Sequence, residues 1–286
     1  MTDGRPTALV TGAGRGIGRA CALAFREEGW RVVAGVRDIE AAREAYAGSG
    51  VHVTRLDVAD PASVEAGVAA TERHAGGPPA CLVSNAGYAV VGAVEDADLD
   101  VVRTMFETNF FGAAAVIQRV LPGMREAGGG SIVIVSSIGA RISNPLVGMY
   151  HASKYALSAM AEALAVEVRP FGIRVSTVEP GMVDTGFPQA TRPTGAAPRG
   201  EGPYAPLLAG LRDGFAEWRR AYPTGPEVVA RAVVGAALDP APPFRIPVGD
   251  DARRLAGMRE GTADDRAFHD RLVEFLNLDW PPRPPS

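Results

Sequence analysis

The chain has 286 residues, 47% of them hydrophobic and 22% charged, with a formal net charge of −4. That length can bury one large core, while the lack of a concentrated basic run excludes nucleic acid as an expected partner. No stretch reaches the ~18 apolar residues of a membrane span, and Ala8-Leu9-Val10 meets a glycine turn too soon for a signal peptide. A soluble cytoplasmic protein is expected.

Short apolar runs then alternate with helical patterns. Thr7 to Thr11 reads as a strand and Gly18 to Glu28 as a helix. Arg31 to Val36 reads as a strand, Ile39 to Ala47 as a helix, Val51 to Leu56 as a strand and Ala62 to His74 as a helix. Ala80 to Ser84 is a strand, Leu99 to Met124 a long helical stretch and Ser131 to Ser136 a strand. Met149 to Val168 is a helix and Arg174 to Val178 a strand. The runs are apolar on both faces, as strands covered by helices on each side must be. The β-α-β-α order predicts an α/β fold with a doubly wound parallel sheet, one domain over residues 1–286.

Two regions depart from the alternation. Gln189 to Pro206 is rich in Pro and Gly and reads as a loop. Pro206 to Tyr222 looks helical, with Leu208, Leu211, Phe215, Trp218 and Tyr222 on one stripe. That stripe is either ordinary packing or the face of a lid, within a substrate segment at about 183–225. A C-terminal extension at about 251–286 either closes a neighbour's pocket or covers the sheet edge. Cys21 and Cys81 are expected to be core residues, and no metal site is expected.

The first strand leads into Thr11-Gly12-Ala13-Gly14-Arg15-Gly16-Ile17-Gly18. Glycines there let backbone N–H groups approach a pyrophosphate at a helix N-terminus. The spacing is TGxxxGxG rather than GxGxxG. The second strand ends Val36-Arg37-Asp38. An acid at the strand end would bind the adenosine ribose of NAD, whereas an arginine suits the 2′-phosphate of NADP. Val36 stands at the expected acid position, so Arg37, with Arg15, points to NADP(H). The alternative leaves both arginines solvated and Asp38 on the ribose.

Tyr150-His151-Ala152-Ser153-Lys154 opens a helix, placing Tyr150 and Lys154 on one face at i, i+4. A tyrosine titrates near ~10, too high for neutral acid–base work, and a neighbouring ammonium lowers it. Ser137 ends the preceding strand, where open α/β sheets bind ligands, and is suited to hold a substrate oxygen.

With these motifs in order the chain resembles the short-chain dehydrogenase/reductase family, across roughly residues 6 to 250. The matching signatures are the glycine turn, Asp57-Val58, Asn85-Ala86-Gly87, Asn109, Ser137, Tyr150 with Lys154, and Pro180-Gly181 with Thr185. The resemblance implies a Rossmann-type sheet and a cofactor site built from Gly12, Arg15, Gly16, Ile17, Gly18, Arg37, Asp57, Val58, Asn85, Ala86, Gly87, Pro180, Gly181, Val183 and Thr185, together with Tyr150 and Lys154. It implies that Asp57 bonds the adenine amino group. Asn109 kinks its helix and supports a proton-relaying water, Ser137 polarises the substrate carbonyl and Tyr150 delivers the proton. Ser84 stands where the family often has a second Asn. Glu179-Pro180-Gly181 is most similar to the branch acting on steroids, retinoids and other lipophilic alcohols.

The expected activity is therefore ketone reduction, or oxidation of the matching secondary alcohol, on a medium to large hydrophobic substrate. Phe187, Tyr204 and Trp218 are candidates to enclose a ring, and Arg141 faces either solvent or an acidic substrate. The competing readings are a non-redox isomerase, dehydratase or cyclase on the same scaffold, and an NADP-sensing regulatory protein. Small residues on Leu99 to Met124 and Met149 to Val168, such as Ala114 and Ala159, would let these helices pair between subunits, so a homodimer or homotetramer is expected.

Overall fold

The computed structural model describes residues 4–185, 191–276 and 278. Seven parallel strands form its central sheet in the order β3-β2-β1-β4-β6-β7-β9. They are β1 (Thr7–Thr11), β2 (Arg31–Val36), β3 (His52–Arg55), β4 (Cys81–Ser84), β6 (Gly130–Val135), β7 (Ile173–Pro180) and β9 (Arg245–Val248). The chain winds outward from β1 to β3, then returns to place β4 on the other side of β1. That reversal is the switch point at which such sheets leave a crevice beyond the strand ends. A separate ribbon pairs β5 (Val90–Val91) with β8 (Arg192–Pro193).

Strand alternation divides the core between the two faces of the sheet. Ala8 and Val10 of β1, with Val133 and Val135 of β6, join one cluster with α1 (Gly16–Glu27) and α8 (Pro226–Leu238). Leu9, Ile132 and Ile134 join the opposite cluster with α3 (Pro61–Ala75), α5 (Ala113–Glu126) and α6 (Gly148–Glu167). Aspartates start several helices by accepting from free backbone N–H groups. Asp38 takes Ala41 N at 3.2 Å at the head of α2 (Ile39–Ala45), and Asp60 takes Ala62 N at 3.0 Å before α3. Asp98 does the same for α4 (Leu99–Phe106).

The doubly wound sheet expected from the sequence is present, and the structure adds local detail. The long stretch from Leu99 is interrupted by a π-turn at Glu107–Gly112. The sheet has a seventh strand that the pattern concealed: β9 carries Pro247, which lacks an N–H and fits an edge strand. The stripe of α7 (Ala205–Ala221) packs against α9 (Asp250–Glu260) and α10 (Asp265–Phe275) in a third cluster that includes Leu208, Leu211, Trp218, Leu255, Phe268 and Leu272. The C-terminal extension thus packs on the chain's own α7, with Trp218 edge-on to Phe275 at 4.9 Å, while α9 also contacts the edge strand β9.

Candidate active site

A cleft of about 670 Å³ opens beyond the strand ends at the switch point. Gly12, Arg15, Gly16, Ile17, Gly18, Arg37, Asp57, Val58, Asn85, Ala86, Gly87, Ser137, Tyr150, Lys154, Pro180, Gly181, Val183 and Thr185 all line it. Asn109 is the one expected site residue that does not, lying fully buried behind it.

The floor of the cleft is built for close backbone approach. A Cβ on Gly12, whose φ is +63°, would stand 2.8 Å from Ala86 Cα, and one on Gly18 would stand 2.4 Å from Gly12 O. Asn85 binds this turn to β4 by donating from Nδ2 to the carbonyls of Thr11 (3.0 Å) and Gly12 (3.3 Å). Tyr46 donates its hydroxyl to Ala13 O at 2.6 Å, a brace 33 residues away that no sequence motif signals. Unlike α2, α3 and α4, α1 has no side-chain cap. Its first N–H groups and its dipole are thus presented to the cleft, as a diphosphate requires.

At the adenosine end, Val36 is buried and Arg37 and Arg15 are exposed, with no ion pair to either among the described residues. Asp38 is committed to capping α2, which removes support from the reading that places it on a ribose. Asp57 accepts from Ala59 N at 3.1 Å, while Val58 packs against the π-turn at Gly112. The donor set, glycine cradle and free arginines fit a dinucleotide.

At the opposite end, Ser137 and Tyr150 stand together in the cleft wall, where the serine hydroxyl favours the phenolate form of Tyr150. Ser137 Oγ also accepts from Gly139 N at 3.0 Å, which fixes the oxygen at the head of a short turn. Lys154 is buried, donates Nζ to Val135 O at 3.2 Å and lies 6.0 Å from the centre of the Tyr150 ring. Burial lowers the Lys154 ammonium to about 8. It pushes the Tyr150 phenol up to about 12. Desolvation thus outweighs the lowering expected of a neighbouring ammonium, and Ser137 opposes the rise. His151 beside them is held neutral, lowered to about 4 by burial, with Nδ1 accepting from Asn144 N.

Asn109 serves as a clamp. Its Oδ1 accepts from Tyr88 N at 3.0 Å, and its Nδ2 donates to Tyr88 O at 2.9 Å and to Ser153 Oγ at 3.0 Å. Ser153 in turn donates to Tyr150 O at 2.6 Å. A Cβ on Gly87 would lie 3.0 Å from Asn109 Oδ1 and 3.6 Å from Lys154 Nζ, so the missing side chain keeps a gap between them.

Residues 6–195 match the family model described as short chain dehydrogenase. The chain belongs to the short-chain dehydrogenase family. It is 34% identical to the uncharacterized oxidoreductase YbbO of Escherichia coli strain K12 over 84% of each chain. Against several other curated relatives the match spans 57% to 65% of their length. Among solved structures, a short-chain dehydrogenase from Streptomyces avermitilis superposes with a TM-score of 0.82 at 32% identity, covering 97% of this chain and 98% of that one. A short chain dehydrogenase from Burkholderia cenocepacia in complex with NADP gives 0.72 at 26% identity, covering 96% and 99%. This short-chain dehydrogenase is an oxidoreductase whose cleft suits a nicotinamide cofactor.

Some expected residues fall elsewhere. Arg141 does not await a substrate, because its guanidinium is bound to Glu179 at 2.5 Å and to Glu260 at 2.6 Å. Tyr204 donates to Glu95, Trp218 is buried among other aromatics, and Phe187 lies outside the described residues. Thr191 and Arg192 of the expected substrate segment reach the cleft wall, and residues not anticipated include Thr108 there and Asp251 beneath Gly181. Contacts between distant segments place them, and local spacing carries no trace of such contacts.

Proposed function

We propose that this chain is an NADP(H)-dependent reductase of hydrophobic ketones, acting equally on the matching secondary alcohols in reverse. The observation that carries the reading is the placing of Ser137, Tyr150 and Lys154 together in the cleft wall, with Lys154 Nζ 6.0 Å from the centre of the Tyr150 ring. The cofactor supplies the hydride when bound. Ser137 holds the carbonyl oxygen through the hydroxyl that Gly139 N orients. Tyr150 keeps its proton at neutral pH and gives it to the oxygen as negative charge develops there. Lys154, charged below about 8, offsets the phenolate that remains. NADP(H) over NAD(H) is supported by exposed Arg15 and Arg37 at the adenosine end, by the prior use of Asp38 as a helix cap, and by the NADP-bound Burkholderia relative.

The test follows NADPH and NADH consumption over a panel of lipophilic ketones, with Tyr150→Phe as control. Ketone-dependent oxidation of NADPH should fall by about 10²–10⁴ in the variant, the usual contribution of a positioned acid, while cofactor binding persists. Arg37→Glu should reverse the preference for NADPH. Full turnover by Tyr150→Phe would overturn the assignment of the acid, and substrate conversion without net cofactor consumption would point to isomerisation.

A further inference from the structure

A second cavity of about 460 Å³ adjoins the cofactor cleft, and Thr191 walls both. One wall is Leu146 and Val147, which lead directly into the turn carrying Tyr150. A second is the β5–β8 ribbon, through Val91 and Pro193. The third is α7, through Leu208, Leu211 and Phe215. Strand alternation in β8 sends Arg192 to the cofactor cleft and Pro193 to this cavity, so the ribbon borders both spaces, which meet at Thr191.

Leu146 has a φ of +62°, and among the described residues it is the one non-glycine with a positive φ. The conformation is costly for a branched side chain. It is held by Gly92 N donating to Leu146 O at 2.8 Å, and it keeps Leu146 buried in the cavity wall. Among the described lining residues, Thr191 and Arg212 alone carry polar side chains. Arg212 is exposed, and no ion pair, hydrogen bond or ring contact is made by it among the described residues.

We infer that this cavity is the substrate-body subsite, and that Arg212 receives an anionic group at the far end of the substrate. The substrate class is then an oxo acid with its carbonyl near one end, an apolar middle, and a carboxylate remote from the carbonyl. A cavity of this size lies in the ~300–1,000 Å³ range that encloses small ligands. The apolar walls take the middle, and the arginine fork matches carboxylate geometry. The inference rests on the reductase reading for the position of the carbonyl, but the anion site can be read without turnover.

Two measurements test it. With NADPH, kcat/KM is compared for medium-chain oxo acids and their methyl esters, in wild type, Arg212→Gln and Arg212→Lys. The wild type should favour the acid by about 1.5- to fivefold, the scale of a partly exposed charge pair. The ratio should fall to near one in Arg212→Gln and be partly kept in Arg212→Lys. Separately, calorimetry with decanoate and decanol, neither bearing a carbonyl, should show tighter binding of decanoate that is lost in Arg212→Gln. Equal binding of decanoate and decanol in the wild type, or an acid preference that survives in Arg212→Gln, overturns the anion site. If no ketone is reduced but decanoate binding still depends on Arg212, the reductase reading fails and the anion site stands.

Discussion

Lys154 and Tyr150 show how a shared surrounding moves two groups in opposite directions. Both are desolvated, so each favours its uncharged form: the ammonium drops to about 8 and the phenol rises to about 12. A rate that needs the Lys154 charge beside Tyr150 is supported below about pH 8 and lost as pH rises through that value. We expect kcat/KM for reduction to be level near neutrality and to decline above about pH 8. In Lys154→Arg, whose charge persists throughout, the decline should vanish even though turnover is lower. A pH profile that keeps the same alkaline limb in Lys154→Arg would assign it to another group. The spacing of Tyr150 and Lys154 was legible because one helical turn joins them. The clamp made by Asn109 was only half legible. The sequence placed Asn109 in an interrupted helix, but its bonds to Tyr88 and Ser153 span 21 and 44 residues.

At the level of elements, the end of β7 is fixed by buried charge that alternation could not reveal. Glu179 is fully buried, with Oε2 held by Arg141 at 2.5 Å and Oε1 by Arg245 at 3.2 Å. Arg141 ends the turn that Ser137 begins, so this carboxylate ties the serine turn to the strand carrying Pro180 and Gly181. Removing one partner of a buried pair strands the other charge, at ~3–5 kcal/mol. Glu179→Ala should therefore lose about that much stability in urea unfolding. Arg141→Met added to it should recover part of the loss, whereas simple additivity of the two losses would contradict the coupling. Asp251 provides a second support. It accepts from Met182 N at 2.6 Å and lies where a Cβ on Gly181 would come within 2.1 Å of Oδ2. Gly181→Ala should displace this carboxylate and weaken cofactor binding, measurable by titration of NADPH fluorescence. The six strands with continuous apolar runs were readable from sequence. The Pro247-bearing β9 and the helices around it were not, because their identity depends on what they pack against.

Considered as a whole, the molecule sets the cleft at the switch point and the second cavity on different cores. The two clusters flanking the sheet draw on β1, β6, α1, α3, α5, α6 and α8 and support the glycine turn and Lys154. The third cluster joins α7 to α9 and α10, and includes Leu146, which walls the second cavity. Damage to the third core should then pass to the chamber more than to the dinucleotide cleft. Leu272 of α10 is 3% exposed and belongs to that cluster alone. Leu272→Ala should cost ~2–5 kcal/mol locally, through lost burial and a residual void. Such a cost loosens α7 before it unfolds the sheet, because stability is not uniform across a fold. The expected signature is a raised KM for ketone, an almost unchanged Kd for NADPH, and faster amide exchange in 205–221 than in the strands of the central sheet. Equal weakening of ketone and NADPH binding, with uniform exchange across both regions, would show that the cores behave as one cooperative unit.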